Sequence, residues 1–177
     1  MSNQRLIAID PSSTRIGWAL FDGTLVDAGF TRPGRTKDGY IERVRSMVDD
    51  LCGIVERHEP NVAVIEVPSG KAARGSRPGM AGTQAIYGLA VGAVWQSMLL
   101  VVPSNARGGH GVVETTTERE WTRSVPKAAR ARTLPLEYPQ LDWSADGGLD
   151  MADAIGIGLW WIGQQPLRAA RAAGGQR

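Results

Sequence analysis

Four carboxylates occupy positions from which they could act together: Asp10, Glu66, Asp150 and Asp153. Asp10 closes the apolar run "RLIAID" and Glu66 closes "VAVIE", while Asp150 and Asp153 lie three residues apart in "GLDMADAIGIG". On a helix that last spacing puts both acids on one face, about 5 to 6 Å from each other. Each acid taken alone has an ordinary structural role. Asp10 suits a cap for the Pro11-Ser12-Ser13-Thr14 turn, Glu66 a partner for a basic residue of the next loop, and Asp150 with Asp153 the acids of a helix start. Two buried strands that each end in an acid, followed by a helix offering two more, point instead to a cluster. Like charges about 4 Å apart repel by roughly 4 kcal/mol at an effective dielectric near 20, so a cation is expected among them. All-oxygen donors without His or Cys favour Mg²⁺ or Mn²⁺ over zinc. A pair of such ions about 3.5 to 4 Å apart suits displacement at a phosphodiester, activating water on one side and stabilising the leaving oxygen on the other.

The elements that must position these acids follow from pattern. Leu6–Asp10, Ile16–Phe21 and Leu25–Phe30 are β-prone runs separated by turn residues, which predicts an antiparallel meander with the continuously apolar first strand at its centre. Ile41, Val44, Val48, Leu51 and Val55 recur at a helical period between Gly39 and His58, and Pro60 ends that helix before the strand 62–66. Further helices are expected from about Gly82 to Leu99, around Trp121 to Leu134 behind a Thr117/Glu120 capping box, and from Leu149 to Trp161. A short strand over Val112–Thr115 separates the first two of these. A crossover from the meander through a helix to a parallel strand places the ends carrying Asp10 and Glu66 side by side on one sheet edge. The expected fold is therefore α/β: an antiparallel meander of three strands plus parallel strands in one mixed sheet, flanked by helices. One domain over residues 1–165 and a flexible basic tail over 166–177 are expected.

The chain has 177 residues, 42% of them hydrophobic, which suits a single core. Net charge is only +2, yet nine basic residues face three acids between Lys71 and Arg132, an asymmetry that suggests a polyanionic partner. The loop "VPSGKAARGSRPGMA" supplies Lys71, Arg74 and Arg77 to this stretch. The single Cys52 rules out an internal disulfide and a C-x-x-C site. No run approaches the roughly 20 apolar residues of a membrane span, and the first ten residues lack a signal-peptide core, so a cytoplasmic location is expected.

"IAIDPSSTRIGWALFD", "VAVIEVPSG" and "LDMADAIGIG", in this order and spacing, resemble the three acidic motifs of the RuvC family of Holliday-junction resolvases, which have the RNase H-like fold. The resemblance extends from about Arg5 to Ile162. It implies that Asp10, Glu66, Asp150 and Asp153 bind two Mg²⁺ ions per active site, with Mn²⁺ able to substitute. It also implies a catalytic lysine near the scissile phosphate, best matched by Lys127 in "RSVPKAARAR", with Arg123 or Arg130 as alternatives for that role. Lys71, Arg74, Arg77, Arg123 and Arg130 would contact DNA. The implied activity is that of a homodimeric crossover junction endodeoxyribonuclease, nicking four-way junctions symmetrically to leave 5′-phosphate and 3′-hydroxyl ends. One departure concerns the loop after Glu66, which in the family commonly carries an aromatic wedge and here has none.

Other functions fit the same residues less well. An actin-like or sugar-kinase ATPase shares the Asp and Ser-Ser-Thr turn of the first strand, but it requires a second phosphate loop in a duplicated domain, for which this chain is too short. A related nuclease acting on forks, flaps or structured RNA is the nearest alternative, and a non-catalytic DNA-binding protein is disfavoured by the presence of all four acids. Without a loop aromatic, substrate affinity should rest on phosphate contacts, which carry no sequence information. Replacing Lys71, Arg74 and Arg77 together with Ala is thus expected to weaken binding to every branched DNA by a similar factor. Salt titration should show a log–log slope flattened by roughly 0.9 for each phosphate that the altered loop no longer neutralises. Loss of a single preferred cutting sequence would show instead that the loop reads bases.

Overall fold

The computed structural model describes residues 4–12, 14–32, 39–67, 80–101, 111–122, 127–143 and 148–174. Its centre is a five-stranded sheet in the order β3-β2-β1-β4-β5. β1 (Arg5–Pro11), β2 (Ile16–Asp22) and β3 (Thr24–Thr31) form the expected antiparallel meander. Gly23, at φ 74°, makes the tight connection between β2 and β3, a left-handed conformation that glycine adopts without steric cost. β4 (Val62–Glu66) lies parallel to β1, and β5 (Val112–Thr116) parallel to β4. The central position expected for β1 is the one observed.

Strand alternation sorts the side chains into two cores. Ile7 and Ile9 of β1 and Ala63 and Ile65 of β4 face α1 (Tyr40–His58) and α2 (Met80–Val101), where Met47, Leu51, Ile86, Ala90 and Val94 complete the layer. Leu6, Ala8, Val62 and Val64 face the opposite way. They pack with Trp121 of α3 (Glu118–Trp121), Leu134 of α4 (Lys127–Glu137), and Met151, Ile155 and Trp161 of α5 (Gly148–Gly174). Side chains two apart on a strand share a face, so Asp10 and Glu66 belong to the α5 side.

Helix ends follow local chemistry. α1 stops at Glu59, which takes a left-handed conformation (φ 45°, ψ 52°) with its N–H on Val55 O, immediately before Pro60. At the other end of the chain the structure departs from expectation, because α5 continues through residues 166–174 in place of a flexible tail. Beyond Pro166, which lies inside the helix, the Ala- and Arg-rich composition has high helix propensity. In addition, Arg168 is held by Glu114 of β5 at 2.6 and 2.8 Å, which ties this last stretch to the sheet. Among the described residues no helix is long and apolar enough to cross a membrane.

Candidate active site

Asp10 and Glu66 follow the last paired residues of the parallel ladder, Ile9 and Ile65, and so stand beside each other at the carboxyl ends of the two central strands. Each is only 8% exposed. The turn beyond Asp10 is closed by Ser12, whose N–H and hydroxyl both donate to Arg15 O, at 2.8 and 2.7 Å, while its hydroxyl accepts from Arg15 N–H at 3.1 Å. This local lock turns the chain sharply into β2 and sets Arg15 at the rim.

α5 brings the other two acids. Gly17 of β2 pairs with Asp10, and a Cβ on it would lie 2.1 Å from the backbone oxygen of Asp150. The absence of a side chain at Gly17 is therefore what lets the first turn of α5 settle on the sheet next to Asp10. Arg15 NH1 lies 3.9 Å from Asp150 Oδ2, a partly exposed ion pair that sequence reasoning did not foresee. Asp150 also sits in the first turn of its helix, where the dipole favours an anion.

The side of the site around Glu66 is built by α3 and α4. Glu120 Oε2 accepts from the N–H and hydroxyl of Thr117 at 2.8 and 2.9 Å, and from the Thr116 hydroxyl at 3.3 Å, so the predicted capping pair anchors α3 directly to the end of β5. Trp121, thereby placed, donates its indole N–H to Glu66 Oε2 at 2.6 Å. Arg130 stacks over the Trp121 ring at 4.0 Å and donates to Asp153 Oδ1 at 2.8 Å. A guanidinium 1% exposed offers no surface to a DNA backbone, so the DNA contact expected for Arg130 gives way to an internal one. Trp121 was missed in the sequence, although an aromatic residue directly behind a capping box was a usable signal that the helix seats against the core. Lys127 begins α4, but its side chain lies outside the described residues, as do Lys71, Arg74, Arg77 and Arg123.

All four predicted acids thus gather at one end of the sheet, on one face. Among the described residues no three His, Cys, Asp or Glu side chains stand close enough together to hold one metal ion. Three of the acids have a partner within the protein: Glu66 accepts from Trp121, Asp150 pairs with Arg15 and Asp153 with Arg130. By its chemistry the donor set still fits a hard divalent cation, since every candidate ligand is a carboxylate oxygen.

Comparison with known protein families finds no match, and none is found among curated proteins. Solved structures do resemble the chain. RuvC of Thermus thermophilus in complex with a Holliday junction substrate matches with a TM-score of 0.61 at 17% identity, over 89% of this chain and 91% of that one. Another structure of Thermus thermophilus RuvC matches with the same score and identity, over 92% and 96%. The yeast mitochondrial Holliday junction resolvase Ydc2 matches with a TM-score of 0.57 at 14% identity, over 90% and 78%. At such identities the likeness is one of fold, and it spans about nine-tenths of this chain.

Because the obstacle at Gly17 is backbone rather than a movable side chain, Gly17→Ala is expected to push the start of α5 off the sheet. Urea unfolding should show a loss of about 1 to 3 kcal/mol, the range typical of overpacking. Unchanged stability would mean that Asp150 is not positioned through this contact.

Proposed function

We propose that this protein is a divalent-metal-dependent, structure-selective endonuclease that cuts branched DNA, with four-way junctions as the preferred substrate. The observation that carries the proposal is the pair of buried acids, Asp10 and Glu66, at adjacent ends of parallel strands, on the face where α5 presents Asp150 and Asp153. The resolvase-like fold over nine-tenths of the chain supports the same reading.

In this mechanism Asp10 and Glu66 form the inner pair of ligands, with Asp150 and Asp153 completing the set from α5. When bound, Mg²⁺ or Mn²⁺ supplies Lewis-acid activation of water and stabilisation of the leaving oxygen. The chain itself orients its carboxylates, excludes bulk water beneath α5 and presents the scissile phosphate to them. Lys127 at the start of α4 is the proposed cation beside that phosphate, and Lys71, Arg74, Arg77 and Arg123 hold the DNA backbone. Cleavage between the 3′ oxygen and phosphorus leaves 5′-phosphate and 3′-hydroxyl ends.

Symmetric incision of opposed strands is most simply achieved by two identical sites related by a twofold axis, so a homodimer is part of the proposal. α2 and α1 offer a surface for it. Tyr40, Ile41, Leu89 and Trp95 are exposed, an apolar groove runs between the helices past Val44, Val48 and Ile86, and Cβ atoms on Gly88 and Gly92 would meet no neighbouring atom of the described residues.

Asp10→Asn and Glu66→Gln are each expected to abolish nicking while junction binding, held mainly by Lys and Arg, stays largely intact. Removing one of two neighbouring like charges should leave the melting temperature without metal level or raised. A panel of four-way junction, fork, flap, duplex and RNA–DNA hybrid tests the substrate: substantial cutting by both variants rejects the acidic site, and preference for forks or structured RNA assigns the site to the related nuclease class. Sedimentation at micromolar concentration should give a dimer, and a monomer both alone and on junction DNA would reject the symmetric arrangement.

A further inference from the structure

Trp121 and Arg130 form a buried stack whose two ends touch two different acids. At one end the indole N–H donates to Glu66 Oε2 at 2.6 Å, and at the other the guanidinium donates to Asp153 Oδ1 at 2.8 Å. The stack is confined from above by α5. A Cβ on Gly156 would lie 2.7 Å from Arg130 Cδ and 3.0 Å from Trp121 Cζ3, so the helix comes down directly onto both side chains one turn beyond Asp153. Both side chains are thus covered by the same turn of α5.

Stability alone is a poor reason for such an arrangement. A buried ion pair is often matched or bettered by apolar residues of similar volume, because desolvation offsets much of the attraction. Nor is Arg130 placed for phosphate recognition, being 1% exposed. What the arrangement does achieve is geometric: each donor engages one oxygen of a carboxylate and so restricts rotation of that group, and the stack links the two restrictions.

We propose that Trp121 and Arg130 are positioning residues that hold Glu66 and Asp153 in one mutual orientation, so that the two acids, one from the sheet and one from α5, take a divalent cation with little rearrangement. The inference rests on the reading of Glu66 and Asp153 as cation-holding acids. Outer donors that orient ligands in this way govern metal affinity as strongly as many ligands do, with typical losses of about 10- to 100-fold on removal.

The test is Mn²⁺ binding to the DNA-free protein, followed by electron paramagnetic resonance, alongside the Mn²⁺ dependence of junction cleavage. Trp121→Phe keeps an aromatic ring and removes the N–H, while Arg130→Met keeps the stem and removes charge and donors. Both are expected to weaken Mn²⁺ binding about 10- to 100-fold, with cleavage recovering toward the wild-type rate at saturating Mn²⁺. Arg130→Lys, which keeps the charge without the planar fork, should restore part of the affinity that Arg130→Met removes. A lowered melting temperature with unchanged Mn²⁺ affinity in the folded variants overturns the proposal and reduces the stack to packing. Should Arg130→Met fail to fold, Trp121→Phe decides alone. Glu66→Gln serves as the reference: if it binds Mn²⁺ as tightly as the wild type, the acidic site itself has failed, whereas if only Glu66→Gln loses binding, the site stands and the bridge falls.

Discussion

Electrostatic repulsion between two carboxylates at neighbouring strand ends is the constraint around which the rest of this protein is arranged. The parallel ladder of β1 and β4 carries Asp10 and Glu66 forward in the same register and on the same side of the sheet. With 8% exposure each, neither can dilute its charge into bulk water. Like charges at neighbouring strand ends repel more strongly as water is excluded from between them. Compensation must come from donors and cations brought by other elements, and the neighbouring elements supply them.

The suppliers come from opposite sides. β5 and α3 deliver an indole N–H to Glu66, the β1–β2 turn delivers Arg15 to the side of Asp150, and α4 delivers Arg130 to Asp153. These contacts differ in kind. The Arg15 pair is partly solvated and long at 3.9 Å, the sort of ion pair worth little by itself. The Arg130 pair is short, with the arginine almost fully enclosed and Asp153 partly so, and removing the acid would leave a buried guanidinium without that partner. The Glu66–Asp153 side is thus the more enclosed and the Asp150 side the more solvated.

Glycine is the permissive element in this assembly. Gly17 lets the α5 backbone touch β2, and Gly156 lets the same helix close over Trp121 and Arg130. Together with Gly158, which packs as closely on Phe21 of β2, these contacts bring α5 down onto the sheet. A fold held with 14–17% identity to known resolvase structures is understandable on these terms, because the architecture depends on alternation, close approaches and the placement of a few charges rather than on the identity of most side chains.

Local order determined what the sequence by itself could reveal. The three meander strands, the helix ending before Pro60, the strand ending at Glu66 and the helical spacing of Asp150 and Asp153 all follow from short-range periodicity and turn chemistry, and they sufficed to place Asp10 and Glu66 side by side on one sheet edge. Local pattern is silent about contacts between residues far apart in the chain. Trp121 reaches Glu66 across 55 residues and Arg130 reaches Asp153 across 23, so an arginine that reads in sequence as part of a basic, DNA-facing segment lies inside the protein instead. The last stretch of α5 likewise meets a distant residue, Glu114 of β5, through Arg168. Which acids exist, and on which strand face they lie, is a property of the period-two alternation of a strand. How they are oriented, and what neutralises them, was decided only when α3, α4 and α5 packed against that face, because burial turns weak, solvent-screened attractions into contacts strong enough to fix a side chain in place.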